Sequence, residues 1–181
     1  MAQERVRLGV VAVRRPPVTR WGTGELRPTA VLPGEPEAAP HTRISEESGT
    51  ETWYLGAADL TLWAGDTGHH RDNLHSGRPS VWVVLRGAAP EKAEILCVTA
   101  DPYEGEGYVS DPALIVEAVP MPPALQRQIA EFIEAHHVEI PFKKRKRSPQ
   151  DPNALTPRAP RILPPDEKWG ADKAGHARGK S

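Results

Sequence analysis

The chain has 181 residues, enough for one ordinary domain, but only 38% are hydrophobic and 20 are proline. This composition predicts a folded part diluted by a disordered part. A single cysteine, Cys97, excludes disulfide frameworks and cysteine-based zinc or iron–sulfur sites within one chain. We see neither a signal-peptide pattern nor a run near the roughly 18 apolar residues of a membrane span, so we expect a cytoplasmic protein.

The net charge of −1 hides an asymmetry along the chain. Residues 1–142 carry 12 Lys and Arg against 20 Asp and Glu, a net of −8, whereas residues 143–181 carry 11 against 4, a net of +7. We therefore expect an acidic body followed by a basic tail.

The first part of the chain predicts β-strands. Residues 5–13 form an apolar, β-branched run, and residues 26–32 form a second short strand, in which Pro28 indicates either an edge position or a later start. Residues 35–49 are polar and predict a loop. Residues 53–55 and 58–63, separated by Gly56, predict the two arms of a hairpin.

The second part of the chain predicts helices between strands. Asp66 or Thr67 caps a short helix that reaches Leu74. Residues 79–86 and 93–100 predict a central strand and its neighbour, and residues 114–119 a last strand. Between them, Asp101 and Pro102 predict the start of a second short helix. Residues 122–137 predict a long helix, with an apolar stripe that recurs every three or four residues.

These elements together predict an α+β fold. We expect a mainly antiparallel sheet, curved or barrel-like, with one long C-terminal helix and short helices. Residues 1–142 would form a single globular β-rich domain. Residues 143–181 would form a disordered basic tail, because KKRKR leads into a segment with six prolines that cannot bury a core.

No motif predicts catalysis or a metal site. The histidines at 69, 70 and 75 lack the i,i+4 spacing of helical metal ligands, and a solvated helix face explains them. His136 and His137 end the long helix, where a protonated imidazole interacts favourably with the helix dipole. We therefore predict no catalytic residue, no metal and no cofactor, unless the two histidine groups meet in space.

Two sets of residues are candidates for binding. Trp63 and Trp82 would mark a protein-binding face if strand alternation exposes them, although a covering helix or loop is an equal alternative. An anion or cofactor would need convergent arginines, and the candidates are Arg14, Arg15, Arg71, Arg78 and Arg86. Arg71, Arg78 and Arg86 lie on or beside one strand and would share an anion site, with ordinary surface arginines as the favoured alternative. Nucleic acid is not an expected partner, because the domain next to the basic run carries −8.

The order of several segments resembles a known family. NLHSGRPSVWVVLR, PMPP and AHHVEIPF running into KKRKR are the most specific pieces, and the likeness covers residues 5–147. They resemble the bacterial family named domain of unknown function 3305. The resemblance implies a small cytoplasmic protein encoded near genes for molybdopterin-dependent respiratory formate dehydrogenase.

The resemblance favours a non-catalytic accessory protein for assembly or maturation of a molybdenum-containing formate dehydrogenase. Its partner would be a subunit of that enzyme or a maturation factor. The alternative is a protein that handles the molybdopterin or nucleotide cofactor, since some family members carry a guanylyltransferase label. This sequence has Arg14, Arg15 and two prolines where such an enzyme has a glycine-rich loop.

Overall fold

The computed structural model describes residues 2–17, 19, 22 and 24–138, and these form seven strands and three α-helices. In chain order the elements are β1 (Gln3–Arg15), β2 (Glu25–Pro33), β3 (Thr42–Glu47), β4 (Thr50–Trp63), α1 (Thr67–His75), β5 (Ser80–Arg86), β6 (Glu94–Thr99), α2 (Pro102–Gly107), β7 (Leu114–Pro120) and α3 (Pro123–His136). A single 3₁₀ turn, Ala64–Asp66, joins β4 to α1.

Four strands form an antiparallel sheet in the order β2-β1-β4-β3. β1 is flanked on both sides, and its alternate residues Leu8, Val10 and Ala12 face the shared core, while Gly9 and Val11 between them are buried on the opposite face of the sheet. β2 lies at the edge of the sheet, as Pro28 predicts, since proline cannot donate a ladder hydrogen bond.

The hairpin predicted around Gly56 is wrong. Residues 50–63 form the single long strand β4, which pairs with β1 along its whole length. Gly56 has φ of +133°, and the register with β1 shifts between Val10 and Val11, beside the pairing of Val10 with Gly56. The glycine therefore marks a β-bulge that bends the strand, and the chain does not reverse there.

The loop predicted over residues 35–49 is also wrong in part, because it contains β3. β3 reads TRISEE, and every residue is exposed. Its sequence therefore lacks the alternation of apolar and polar residues that predicts a strand. A tight turn at Ser48 and Gly49, both with positive φ, returns the chain into β4 and sets the pairing.

The other three strands form an antiparallel sheet in the order β6-β5-β7, with β5 central as predicted. β2 runs beside β7, where Arg27 Nε donates to Glu117 Oε1 at 2.8 Å, and β4 runs beside β6. Among the described residues the two sheets remain separate ladders, so no closed barrel forms. The mainly antiparallel architecture with short helices is confirmed.

Both sheets and α3 share one apolar core. α3 places Leu125, Ile129 and Phe132 into it and, at 14 residues, has an ordinary length. No helix in the described ranges is long and apolar enough to cross a membrane. The predicted tail and the domain boundary after residue 142 lie outside the described residues.

Candidate functional site: a groove between α1 and α2

A groove of about 400 Å³ lies where the end of α1, the start of β5 and α2 come together. We call it the α1–α2 groove. It is lined by polar, charged and aromatic side chains together, namely Asp72, Asn73, Ser76, Arg78, Ser80, Trp82, Pro102, Tyr103 and Glu106.

Asn73 fixes the wall of the groove on the α1 side. This buried amide donates to the backbone carbonyls of Ser80 and Ala100, both at 2.8 Å, and accepts from the Ser80 amide at 3.0 Å. These three hydrogen bonds hold α1 against the start of β5 and the end of β6. Breaking any of them would leave a buried polar group without a partner, which is costly.

Trp82 and α2 meet at close range. A Cβ built on Gly105 would overlap Cγ of Trp82, so the indole packs directly against the backbone of α2. Trp82 is half-buried in consequence. Of the alternatives that the sequence left open for this tryptophan, the structure has the covering helix, with part of the side chain still facing the groove.

Tyr103 is the most exposed aromatic residue that lines the groove, at 63%. It follows Asp101, whose carboxylate accepts from the Tyr103 amide at 2.9 Å and so caps α2, as the sequence predicts. The phenol ring lies 4.5 Å from the ring of His69, centroid to centroid.

Charges of both signs line the groove. Arg78, Asp72 and Glu106 are all exposed. The guanidinium of Arg78 makes no hydrogen bond or ion pair within the described part of the chain. With two carboxylates against one guanidinium, the groove has a mixed and slightly negative character.

A second group of polar residues adjoins the groove behind Tyr103. Asp66, His69 and Asp101, which we call the His69 cluster, bring one ligand atom each to within 4.8 Å of one another. His69 Nδ1 lies 2.8 Å from Oδ2 of Asp101. The neighbouring His70 is 2% exposed, and burial lowers the pKa of its ring.

The family model described as "Protein of unknown function (DUF3305)" matches residues 7–146. The chain belongs to this family. No curated protein and no solved structure matches it.

For this family member, the structure separates the three candidate arginines. Arg78 lines the groove, whereas Arg71 Nη1 lies 3.0 Å from Nε2 of His137. Arg86 ends β5, about 20 Å along the strand from Ser80, and pairs with Glu94 at 3.4 Å.

The two tryptophans are also apart in the fold. Trp82 borders the groove from β5, and Trp63 ends β4 with 43% of its surface exposed. His137, from the second histidine group, contacts α1 through Thr67 and Arg71: its Nδ1 lies 3.0 Å from Oγ1 of Thr67, and its Nε2 lies 3.0 Å from Nη1 of Arg71. Among the described residues, the possible metal ligands that come together are Asp66, His69 and Asp101, so neither His136 nor His137 joins them.

Sequence reasoning missed the pairing of His69 with Asp101. The two residues are 32 positions apart, so no local spacing relates them. The one available signal is that Asp66 and Asp101 are both predicted to begin helices. Two helix starts that pack together would bring His69, in the first turn of α1, close to Asp101.

Proposed function

We propose that this protein is a non-catalytic binding protein whose α1–α2 groove holds a segment of a partner protein. The observation that carries the proposal is the lining of the groove, which combines two aromatic side chains, two carboxylates and one arginine that is unpaired within the described part of the chain. Aromatic residues and arginine are the residues that most often anchor protein interfaces. Charges of both signs fit a peptide, which offers its own mixture of charges.

The same charges argue against an anionic cofactor as the occupant. A nucleotide or pterin phosphate needs several converging donors of positive charge, and among the described residues Arg78 is the single basic one that lines the groove. Asp72 and Glu106 would repel a phosphate.

The family resemblance supplies the identity of the proposed partner. We propose a subunit or a maturation factor of a molybdenum-containing respiratory formate dehydrogenase, which this protein would support during assembly. The second candidate is a protein that handles the molybdopterin or nucleotide cofactor, and it is favoured because Arg78, which has no partner among the described residues, lines the same groove as Trp82.

An affinity pull-down of the full chain from its native host, grown under formate-respiring conditions, tests the proposal. We expect wild type to recover a formate dehydrogenase subunit or maturation factor by mass spectrometry, and the double variant Arg78→Glu/Tyr103→Ala to recover much less. Arg86→Glu is the matched control, since Arg86 is an exposed arginine at the other end of the same strand.

Extraction of the purified protein separates the two candidates. Stoichiometric pterin or guanine nucleotide in wild type, lost in Arg78→Glu, would replace the protein-binding proposal with the cofactor-handling one. Equal recovery of the partner by wild type and the double variant would mean that the groove is not the binding surface.

A further inference from the structure

The α1–α2 groove is lined by three charged side chains that find no partner within the described part of the chain. The carboxylates of Asp72 and Glu106 make no hydrogen bond or ion pair with any described residue, and neither pairs with Arg78 in the same groove. Elsewhere on the surface, Arg27 and Arg43 each pair with a glutamate, at 2.8 and 2.7 Å. The charges of the groove therefore remain available to a ligand.

Both carboxylates lie where a helix disfavours them. Asp72 is in the last turn of α1, four residues before the C-cap Ser76, and Glu106 is the residue before the last of α2. The C-terminal end of a helix carries a partial negative charge, so a carboxylate there is unfavourable and a cation is favourable. A residue that breaks such a local rule without a compensating contact is typical of a functional site.

Aromatic rings line the same groove as these carboxylates. Trp82 contributes part of its indole, and Tyr103 is 63% exposed. A Lys or Arg side chain is attracted to the face of an aromatic ring, and its alkyl part packs against apolar surface while its charged end meets a carboxylate. The groove therefore offers every type of contact that a basic side chain makes.

The backbone that carries the two carboxylates is held in place. Asn73, which follows Asp72, is buried and makes three hydrogen bonds to β5 and to the residue after β6. Gly105, which precedes Glu106, packs directly against Trp82. A preorganised site binds more tightly, because less conformational freedom is lost on binding.

We propose that the segment held by the α1–α2 groove carries a Lys or Arg side chain, which binds to Asp72 and Glu106 and packs against Trp82. An acidic residue of the same segment pairs with Arg78. The inference rests on the proposed function, since it names the chemistry of the segment that the groove is proposed to hold. Two carboxylates against one guanidinium make the basic side chain the main determinant of recognition.

A library of random dodecapeptides displayed on phage tests the proposal, with the full chain as bait and the variant Arg78→Glu/Tyr103→Ala as counter-bait. We expect wild type to enrich peptides that share a Lys or Arg at one position. The most enriched peptide, synthesised with a fluorescent label, should bind Asp72→Asn/Glu106→Gln about tenfold more weakly than wild type, and added salt should weaken its binding to wild type.

A change in the peptide completes the cycle. Replacing its shared Lys or Arg with Gln should weaken binding to wild type, but it should have little further effect on binding to Asp72→Asn/Glu106→Gln. This coupling appears only if the basic side chain contacts these carboxylates, because independent effects on the peptide and on the protein would add.

Charge reversal separates binding from folding. Asp72→Lys and Glu106→Lys each place a cation near a helix C-terminus, so the thermal midpoint should stay unchanged or rise while binding of the basic peptide is lost. Glu134→Lys is the matched control, since Glu134 is an exposed carboxylate in the last turn of α3 that does not line the groove. It should affect the midpoint in the same way and bind the peptide like wild type.

This inference and the proposed function fail in different ways. If wild type enriches groove-dependent peptides that lack a basic residue, the groove holds a protein segment but the inference is overturned. It is also overturned if the basic peptide binds Asp72→Asn/Glu106→Gln as tightly as wild type. If wild type enriches no peptide over the counter-bait, the inference and the proposed function are both overturned.

Discussion

Position 105 has no room for a side chain, because the indole of Trp82 occupies the volume where the Cβ would lie. We predict that Gly105→Ala destabilises the protein by about 1–3 kcal/mol, since α2 or Trp82 must move to relieve the overlap. Urea denaturation followed by tryptophan fluorescence measures the free energy of unfolding. The same substitution should also change the affinity of the α1–α2 groove for its ligand, because Trp82 lines the groove.

Gly107→Ala is the matched control for Gly105→Ala. Gly107 lies in the same helix, and a Cβ there would meet nothing within 4 Å. Alanine should be neutral or stabilising by up to about 1 kcal/mol, because it reduces the freedom of the unfolded chain. Equal effects of the two variants would mean that helix propensity, and not the contact with Trp82, decides the result.

The thiol of Cys97 has its pKa raised to about 11, first by burial and then by the nearby carboxylate of Glu104. The thiolate is the reactive form, so we predict that alkylation by iodoacetamide is slow at pH 8 and rises steeply only above pH 10. Mass spectrometry at a series of pH values follows the reaction in the folded protein. Glu104→Gln removes a negative charge beside the thiol and should shift this rise in reactivity to lower pH. Full alkylation of wild type within minutes at pH 8 would contradict the prediction.

At the scale of elements, the bulge at Gly56 allows β4 to follow β1 over its whole length. With φ at +133°, any other residue is strained at this position, so we predict that Gly56→Ala costs about 1–3 kcal/mol. Chemical denaturation again gives the difference. Gly68→Ala makes the same chemical change where φ is negative and the surroundings are open, and it should cost little.

Local patterns predicted those elements whose own residues carry the signal. β5 has dense β-branched residues, α2 has Asp101 and Pro102 at its start, and both were found where expected. β3 was missed because its residues are exposed and polar, and its pairing with β4 decides its conformation. The sequence predicts a turn at Gly56 because glycine is typical of both tight turns and β-bulges. Only the pairing with β1 distinguishes the two.

The candidate site was predictable only in part for the same reason. Trp82 lies in β5 and Arg78 just before it, so one segment of the sequence is enough to make both candidates for binding, and both line the groove. Tyr103, Glu106 and the pairing of His69 with Asp101 depend on where α2 lands against α1, which no single segment encodes.

At the scale of the whole molecule, the described residues form one apolar core, to which both sheets and α3 contribute. Residues 148–181, which lie outside them, contain six prolines and few large aliphatic side chains. We therefore predict that deleting residues 148–181 leaves the thermal midpoint nearly unchanged, since such a composition supplies little apolar surface to bury.

Differential scanning calorimetry of the full and shortened chains provides the test, with Ile129→Ala as the sensitivity control. Ile129 is fully buried, and its truncation should cost about 2–5 kcal/mol and lower the midpoint by several degrees. A fall of similar size on deleting residues 148–181 would mean that they pack against the body. Residues 148–181 carry 6 Lys and Arg against 4 Asp and Glu, a net of +2, and residues 1–147 carry 17 against 20, a net of −3, so charge attraction would add little to that contact.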